Sequence, residues 1–123
     1  MDHKKTSIRT TALATLVLGA AAAPAFSAPV DQATYNGFKI YKQQRCETCH
    51  GATGEGSAAF PNLLNSLKNL SKDQFKEVVL KGRNAMPPFE ANKKVAEGID
   101  DLYTYIKGRS DGTVPAGELE KAP

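Results

Sequence analysis

Apolar and polar positions divide the chain into segments of different period. Thr11 to Ala23 (TALATLVLGAAAA) is a run of thirteen uncharged residues that follows a basic start with Lys4, Lys5 and Arg9. Residues 32–45 read as a helix, with Asp31 suited to the N-cap and Ala33, Gly37 and Tyr41 recurring every four positions beside Phe38. Gly37 costs that helix about 1 kcal/mol against Ala. Either it lets another helix approach closely or it is a tolerated weak spot. From Cys46 to Asn62 the chain turns irregular, with Gly51, Gly54 and Gly56 close together and Pro61 near the end. Leu63, Leu64, Leu67 and Leu70 are spaced for a further helical turn or two. Ser71-Lys72-Asp73-Gln74 is a capping box that opens a helix to about Lys81, with Phe75, Val78 and Val79 on one face and Gly82 as its stop. Asn84 to Asn92 contains Pro87-Pro88 and reads as an extended loop. Lys94 to Lys107 has the strongest helical period, through Val95, Ile99, Leu102, Tyr103 and Ile106, and Gly108 is its expected stop. Residues 109–123 hold two Gly and two Pro and are expected to be an extended or mobile tail. No segment alternates as a strand does and no repeat is present, so the predicted class is all-α with long loops.

Composition changes this picture at one end. The 123 residues suffice for one domain, and 41% hydrophobic with 24% charged residues excludes a wholly disordered or collagen-like chain. The basic start, short apolar run and small residues around Ala25 and Ser27 have the three-part plan of a secretory signal. Thirteen residues fall short of the roughly 20 that span a bilayer, so no stable membrane anchor is expected. The organisation predicted is a signal peptide over 1–27, with the cut between 25 and 28, a domain over 28–108, and the tail over 109–123. Removal of the signal places the protein in the periplasm and lowers its net charge from +3 to about +1. That balance gives no support to nucleic-acid binding, which shows a basic stripe and a domain pI above about 9. Only 36 of the remaining 96 residues are apolar. A domain so lean gains from a cofactor that enlarges its core.

After the cut, the chemistry-bearing residues are few: Cys46, Cys49, His50 and Met86. Cys46-Glu47-Thr48-Cys49-His50 is the C-x-x-C-H haem-attachment signature. Two thiols one turn apart can add to vinyl groups on neighbouring pyrroles, and the adjacent histidine then reaches the iron. A structural zinc site wants four ligands, and only three Cys or His remain. A thioredoxin-type pair wants a βαβ setting, and a plain disulfide does not account for the histidine. Haem c fits best. His50 is then one axial iron ligand, and Met86 is the only thioether left for the other. Met86 lies in a loop stiffened by two prolines and not on an apolar stripe. Thioether ligation favours ferrous iron and raises the potential, and two protein ligands leave no site for a substrate. This favours an electron carrier over an enzyme. A haem-based ligand sensor or peroxide-reactive protein with a labile Met86 is the alternative.

The motif Cys46-x-x-Cys49-His50-Gly51, together with Gly37 and Tyr41, Pro61-Asn62-Leu63, Met86-Pro87 and Leu102-Tyr103, resembles the class I c-type cytochromes, small monohaem electron carriers. The resemblance runs from Tyr35 to about Lys107. It implies the class I fold, three to five helices and loops wrapped around one covalent haem, with the first and last helices crossing at Gly37 against Tyr103. It also implies that the Pro61 carbonyl accepts from His50 Nδ1–H and that Leu63 lines the haem pocket. The separation of His50 from Met86 is shorter than in long mitochondrial-type members. Ala85-Met86-Pro87-Pro88-Phe89 and the stretch from Tyr103 to Gly112 look like the small bacterial cytochromes that accept electrons from quinoprotein alcohol dehydrogenases. That likeness implies such a donor, dependent on pyrroloquinoline quinone (PQQ), and a terminal oxidase as acceptor; a generic periplasmic carrier is the competing reading. Residues 68–83 carry five cations against two acids. They form either a patch that steers an acidic partner or an ordinary solvated helix face.

Overall fold

The computed structural model describes residues 19–21 and 26–123. The signal-peptide reading of 1–27 rests on 1–18 and 22–25, which lie outside the described residues. Among the described residues the order is β1 (Ala28–Val30), α1 (Gln32–Gln43), α2 (Glu47–His50), α3 (Leu63–Ser66), α4 (Lys72–Lys81), α5 (Lys93–Glu97), α6 (Ile99–Asp111) and β2 (Leu119–Lys121). None of these helices is long and apolar enough to cross a membrane.

Helix starts follow side-chain chemistry. Asp31 accepts from the Thr34 backbone N–H at 3.0 Å and from its hydroxyl at 2.6 Å, which caps α1. At α4 the capping box closes both ways: Gln74 N–H donates to Ser71 Oγ at 3.2 Å, and Ser71 N–H to Gln74 Oε1 at 2.9 Å. The core centres on Tyr41, Leu67, Val95, Leu102 and Tyr105, all almost fully buried.

α1 and α6 cross at Gly37, where a Cβ would collide with the Asp101 carbonyl and come within 2.8 Å of Tyr105 Cβ. Close approach is therefore the reason for this glycine. The partner across the crossing is Tyr105 and not Tyr103 as the resemblance implied. Residues 101 and 105 share a helix face, while 103 is turned about 200° away. Tyr103 meets the Phe75 ring of α4 at 5.4 Å, and Tyr105 packs on Phe38 and Tyr41 at 5.6 and 5.5 Å.

Several boundaries differ from expectation. The helix expected over Lys94–Lys107 is two helices meeting at Gly98, whose backbone lies against the Ile40 side chain of α1. α6 then runs through Gly108 to Asp111, and Gly112 ends it at φ +78. Gly108 stays helical because Val114 folds back over it, leaving no room for a side chain. The segment after 108 is tied to the domain. β2 pairs in parallel with β1 in the register Ala28↔Leu119 to Val30↔Lys121, and Val114 and Leu119 are buried. These three-residue strands are too short for alternation to show in the sequence. The helices number six among the described residues, more than the three to five expected, because one-turn helices such as α2 and α3 leave no periodic trace.

Candidate functional site

The site begins where α1 ends. Gln44 caps the helix through bonds to Ile40 and Lys42, and Arg45, at φ +59, turns the chain into α2. The single turn of α2 sets Cys46 and Cys49 on one side of the turn, both partly buried and unbridged. Burial pushes the Cys46 thiol up to about 11. His50 closes α2, and only 9% of its surface is exposed. Its Nδ1 lies 3.1 Å from the Pro61 carbonyl oxygen. A carbonyl only accepts, so Nδ1 is the donor, and in the neutral ring the lone pair is on Nε2. Tyr41, whose hydroxyl donates to the Gly51 carbonyl, ties α1 to the next loop, and burial raises its phenol well above the ordinary range.

Pro61 is placed by the loop that precedes it. Gly56 N–H donates to the His50 carbonyl at 2.6 Å, and Leu63 N–H to the Gly54 carbonyl at 2.8 Å. Asn62 then caps α3 through the Asn65 N–H. Met86 is held by a different device from the prolines invoked above. Arg83 N–H donates to the Met86 carbonyl at 3.1 Å and Met86 N–H to the Arg83 carbonyl at 2.9 Å, a two-bond bridge turned by Asn84 at φ +53. Gly82 must be glycine here: its φ is +76, and a Cβ would fall 2.6 Å from the Met86 carbonyl oxygen. Phe89 N–H and Glu90 N–H then stitch the loop back to the carbonyls of Val79 and Leu80 in α4.

All six residues singled out in the sequence, Cys46, Cys49, His50, Pro61, Leu63 and Met86, line one cavity of about 510 Å³. The rest of its wall is mainly apolar and comes from α3 to α6 and the loops between them, including Leu67, Phe75, Val79, Leu102 and Ile106. A hollow of this size lined mainly by apolar side chains is shaped to receive a large apolar group. Two thiols, an imidazole and a thioether around one apolar cavity suit a haem that is bonded through its edge and ligated through its iron. Among the described residues no three His, Cys, Asp or Glu cluster to hold a metal ion by themselves.

The sequence reading missed the parts that hold the site. Asn84 and Gly82 aim Met86, and Asn84-Ala85-Met86-Pro87-Pro88 reads in sequence only as a loop. Arg109 and Ser110 were assigned to a tail, yet Arg109 bonds to Thr53 and Val114, and Ser110 to the Leu64 carbonyl. No sequence signal marks these, because Gly108-Arg109-Ser110-Asp111 holds no apolar residue to continue the stripe beyond Ile106.

Residues 32–106 match the protein family described as cytochrome c oxidase, cbb3-type, subunit III. The chain is similar to cytochrome c-555 of Methylococcus capsulatus (strain Bath), with 98% identity over 121 residues and 98% of each chain covered. It is 36% identical over 100 residues to cytochrome c-553I of Paracoccus denitrificans, covering 75% of this chain and 44% of that one. The structure is similar to that of the c-type cytochrome XoxG from Methylobacterium extorquens AM1, with a TM-score of 0.66 and 37% identity over 78% of this chain and 64% of the other.

Proposed function

The chain belongs to the class I c-type cytochromes, electron carriers with a covalently bound haem c and its iron, and from that premise we propose which residues hold the haem and which proteins exchange electrons with it. Cys46 and Cys49 would hold the haem through thioethers, and His50 Nε2 and the Met86 sulfur would hold its iron. The haem supplies reversible one-electron chemistry at iron. The Pro61 carbonyl fixes the tautomer and ring angle of His50 and raises its basicity. The 83–86 bridge holds the Met86 thioether at the wall and keeps small molecules from that side. Leu63, Leu67 and Phe75 exclude water and lower the local dielectric.

The observation that carries this reading is that His50 and Met86 both line the same cavity, each on its own hydrogen-bonded turn. With His50 and Met86 both holding the iron, the haem would pass electrons and leave no place for a substrate. The basic start and apolar run before Ala28 support export to the periplasm, where covalent haem attachment takes place. The likeness of the Met86 loop and of the stretch from Tyr103 to Gly112 to cytochromes that serve quinoprotein alcohol dehydrogenases supports such an enzyme as electron donor. A terminal oxidase is then the acceptor. Stopped-flow mixing of the oxidised protein with a PQQ-dependent alcohol dehydrogenase and its alcohol tests the donor. Saturable reduction is expected. A protein that dithionite reduces but the dehydrogenase does not would leave only the generic carrier.

A further inference from the structure

The loop from His50 to Pro61 has to bring the Pro61 carbonyl back to His50 Nδ1, yet it contains Gly51, Gly54 and Gly56 and exposes most of its side chains. Such a loop has much backbone freedom to lose and little packing to hold it. Tyr41 and a few backbone bonds fix its two ends, and the tie at its middle comes from α6. Arg109, half-buried and outside the cavity wall, donates from Nε to the Thr53 carbonyl at 3.2 Å and from Nη2 to the Thr53 hydroxyl at 3.2 Å. Its Nη1 donates to the Val114 carbonyl at 2.8 Å, so one guanidinium ties the loop, α6 and the returning tail. Among the described residues Arg109 makes no ion pair. One residue on, Ser110 donates to the Leu64 carbonyl at 2.5 Å and fixes the far side of Pro61 through α3. Thr53 in turn donates from its N–H and its hydroxyl to the Glu55 carboxylate, each at 2.8 Å. Hydrogen bonds from the Glu55 backbone and from Thr53 hold that carboxyl below its usual range.

We propose that Arg109 is a positioning residue for the iron centre, which clamps Thr53 so that the Pro61 carbonyl stays on His50 Nδ1–H. The inference rests on His50 being an iron ligand. A planar fork with fixed donors suits this role, because two of its nitrogens set both the distance and the angle of Thr53. If the clamp loosens, the Pro61 acceptor withdraws and the imidazole loses anionic character. His50 then donates less to ferric iron, and the reduction potential rises.

The test uses the holoprotein and the substitutions Arg109→Met, Arg109→Lys and Thr53→Val, with Asn36→Ala as a control. Asn36 bonds Asp101 at the α1–α6 crossing, so its loss weakens the fold without touching the loop. Exchange of the His50 Nδ1 proton is followed by NMR in the reduced protein, and the potential by redox titration. Arg109→Met is expected to speed exchange by up to about tenfold, the factor for a hydrogen bond worth about 1.4 kcal/mol, and to raise the potential. Thr53→Val should do the same to a smaller degree, Arg109→Lys should restore part of the loss, and Asn36→Ala should change neither. Unchanged exchange in Arg109→Met and Thr53→Val would overturn the clamp. Faster exchange with an unmoved potential would overturn its link to iron and count against His50 as a ligand.

Discussion

At Gly37 two helices touch through their backbones, so a single methyl group reports on the whole crossing. Gly37→Ala is expected to cost about 1–3 kcal/mol through overpacking, more than Ala's helix-propensity advantage of ~1 kcal/mol. Chemical denaturation of the holoprotein measures it, and an equally or more stable variant would mean that the helices do not meet here. Asp31 offers a residue-scale test by pH. Hydrogen bonds from the Thr34 side chain and backbone hold its carboxyl below the usual value of 3.8. A depressed folded-state pKa stabilises the fold above the unfolded value, and that contribution disappears as pH falls from about 3.9 through the lowered folded value. Asp31→Ala should therefore cost about 0.5–2 kcal/mol at neutral pH and progressively less below pH ~4. Denaturation curves at several pH values check the sign. At this scale the sequence was most informative where chemistry is rare. Cys46, Cys49, His50 and Met86 stood out because few other residues of their types remain. The partners that hold them are backbone carbonyls and guanidinium contacts, which have no motif: Arg109 reads as one more surface cation until α6 is seen to extend past Gly108.

Between residues and the molecule stand elements whose limits follow from who packs against them. The capped starts of α1 and α4 were legible because Asp31, Ser71 and Gln74 act on their own neighbours in sequence. The limits of α5 and α6 were not, because Gly98 and Gly108 answer to Ile40 and Val114, residues distant or downstream in the chain. The choice of Tyr105 over Tyr103 at the crossing likewise depends on which face of α6 meets α1. The β1–β2 pair is the clearest case. Neither strand has a pattern of its own, and each exists because Leu119 finds a buried seat beside α1. Leu119→Ala is expected to destabilise the holoprotein by about 2–5 kcal/mol, the usual loss for a buried leucine. A thermal midpoint that does not move would return residues 113–123 to the status of a loose tail.

Across the whole molecule, cations and acids distant in sequence meet. Of the five cations in residues 68–83, Lys72 and Lys76 both reach Asp100 and Lys81 reaches Glu90. This pairing accords with an ordinary solvated face better than with a free steering patch. The larger consequence concerns the cavity. A core that surrounds about 510 Å³ cannot close on the side chains of 36 apolar residues alone. Cys46→Ala combined with Cys49→Ala, made without haem attachment, should give a chain with little helical circular dichroism. A well-folded helical form would show that the polypeptide collapses without its cofactor. The central claim is that His50 and Met86 together fill the axial positions of the iron and make the protein a carrier of electrons. It is tested most directly by absorption spectra of the purified holoprotein, ferric and then ferrous under carbon monoxide, beside Met86→Ala. The account predicts a thioether-to-iron charge-transfer band in the ferric wild type and no carbon monoxide uptake by the ferrous form, with the band lost and uptake gained in Met86→Ala. A wild-type protein that lacks the band and binds carbon monoxide would contradict it.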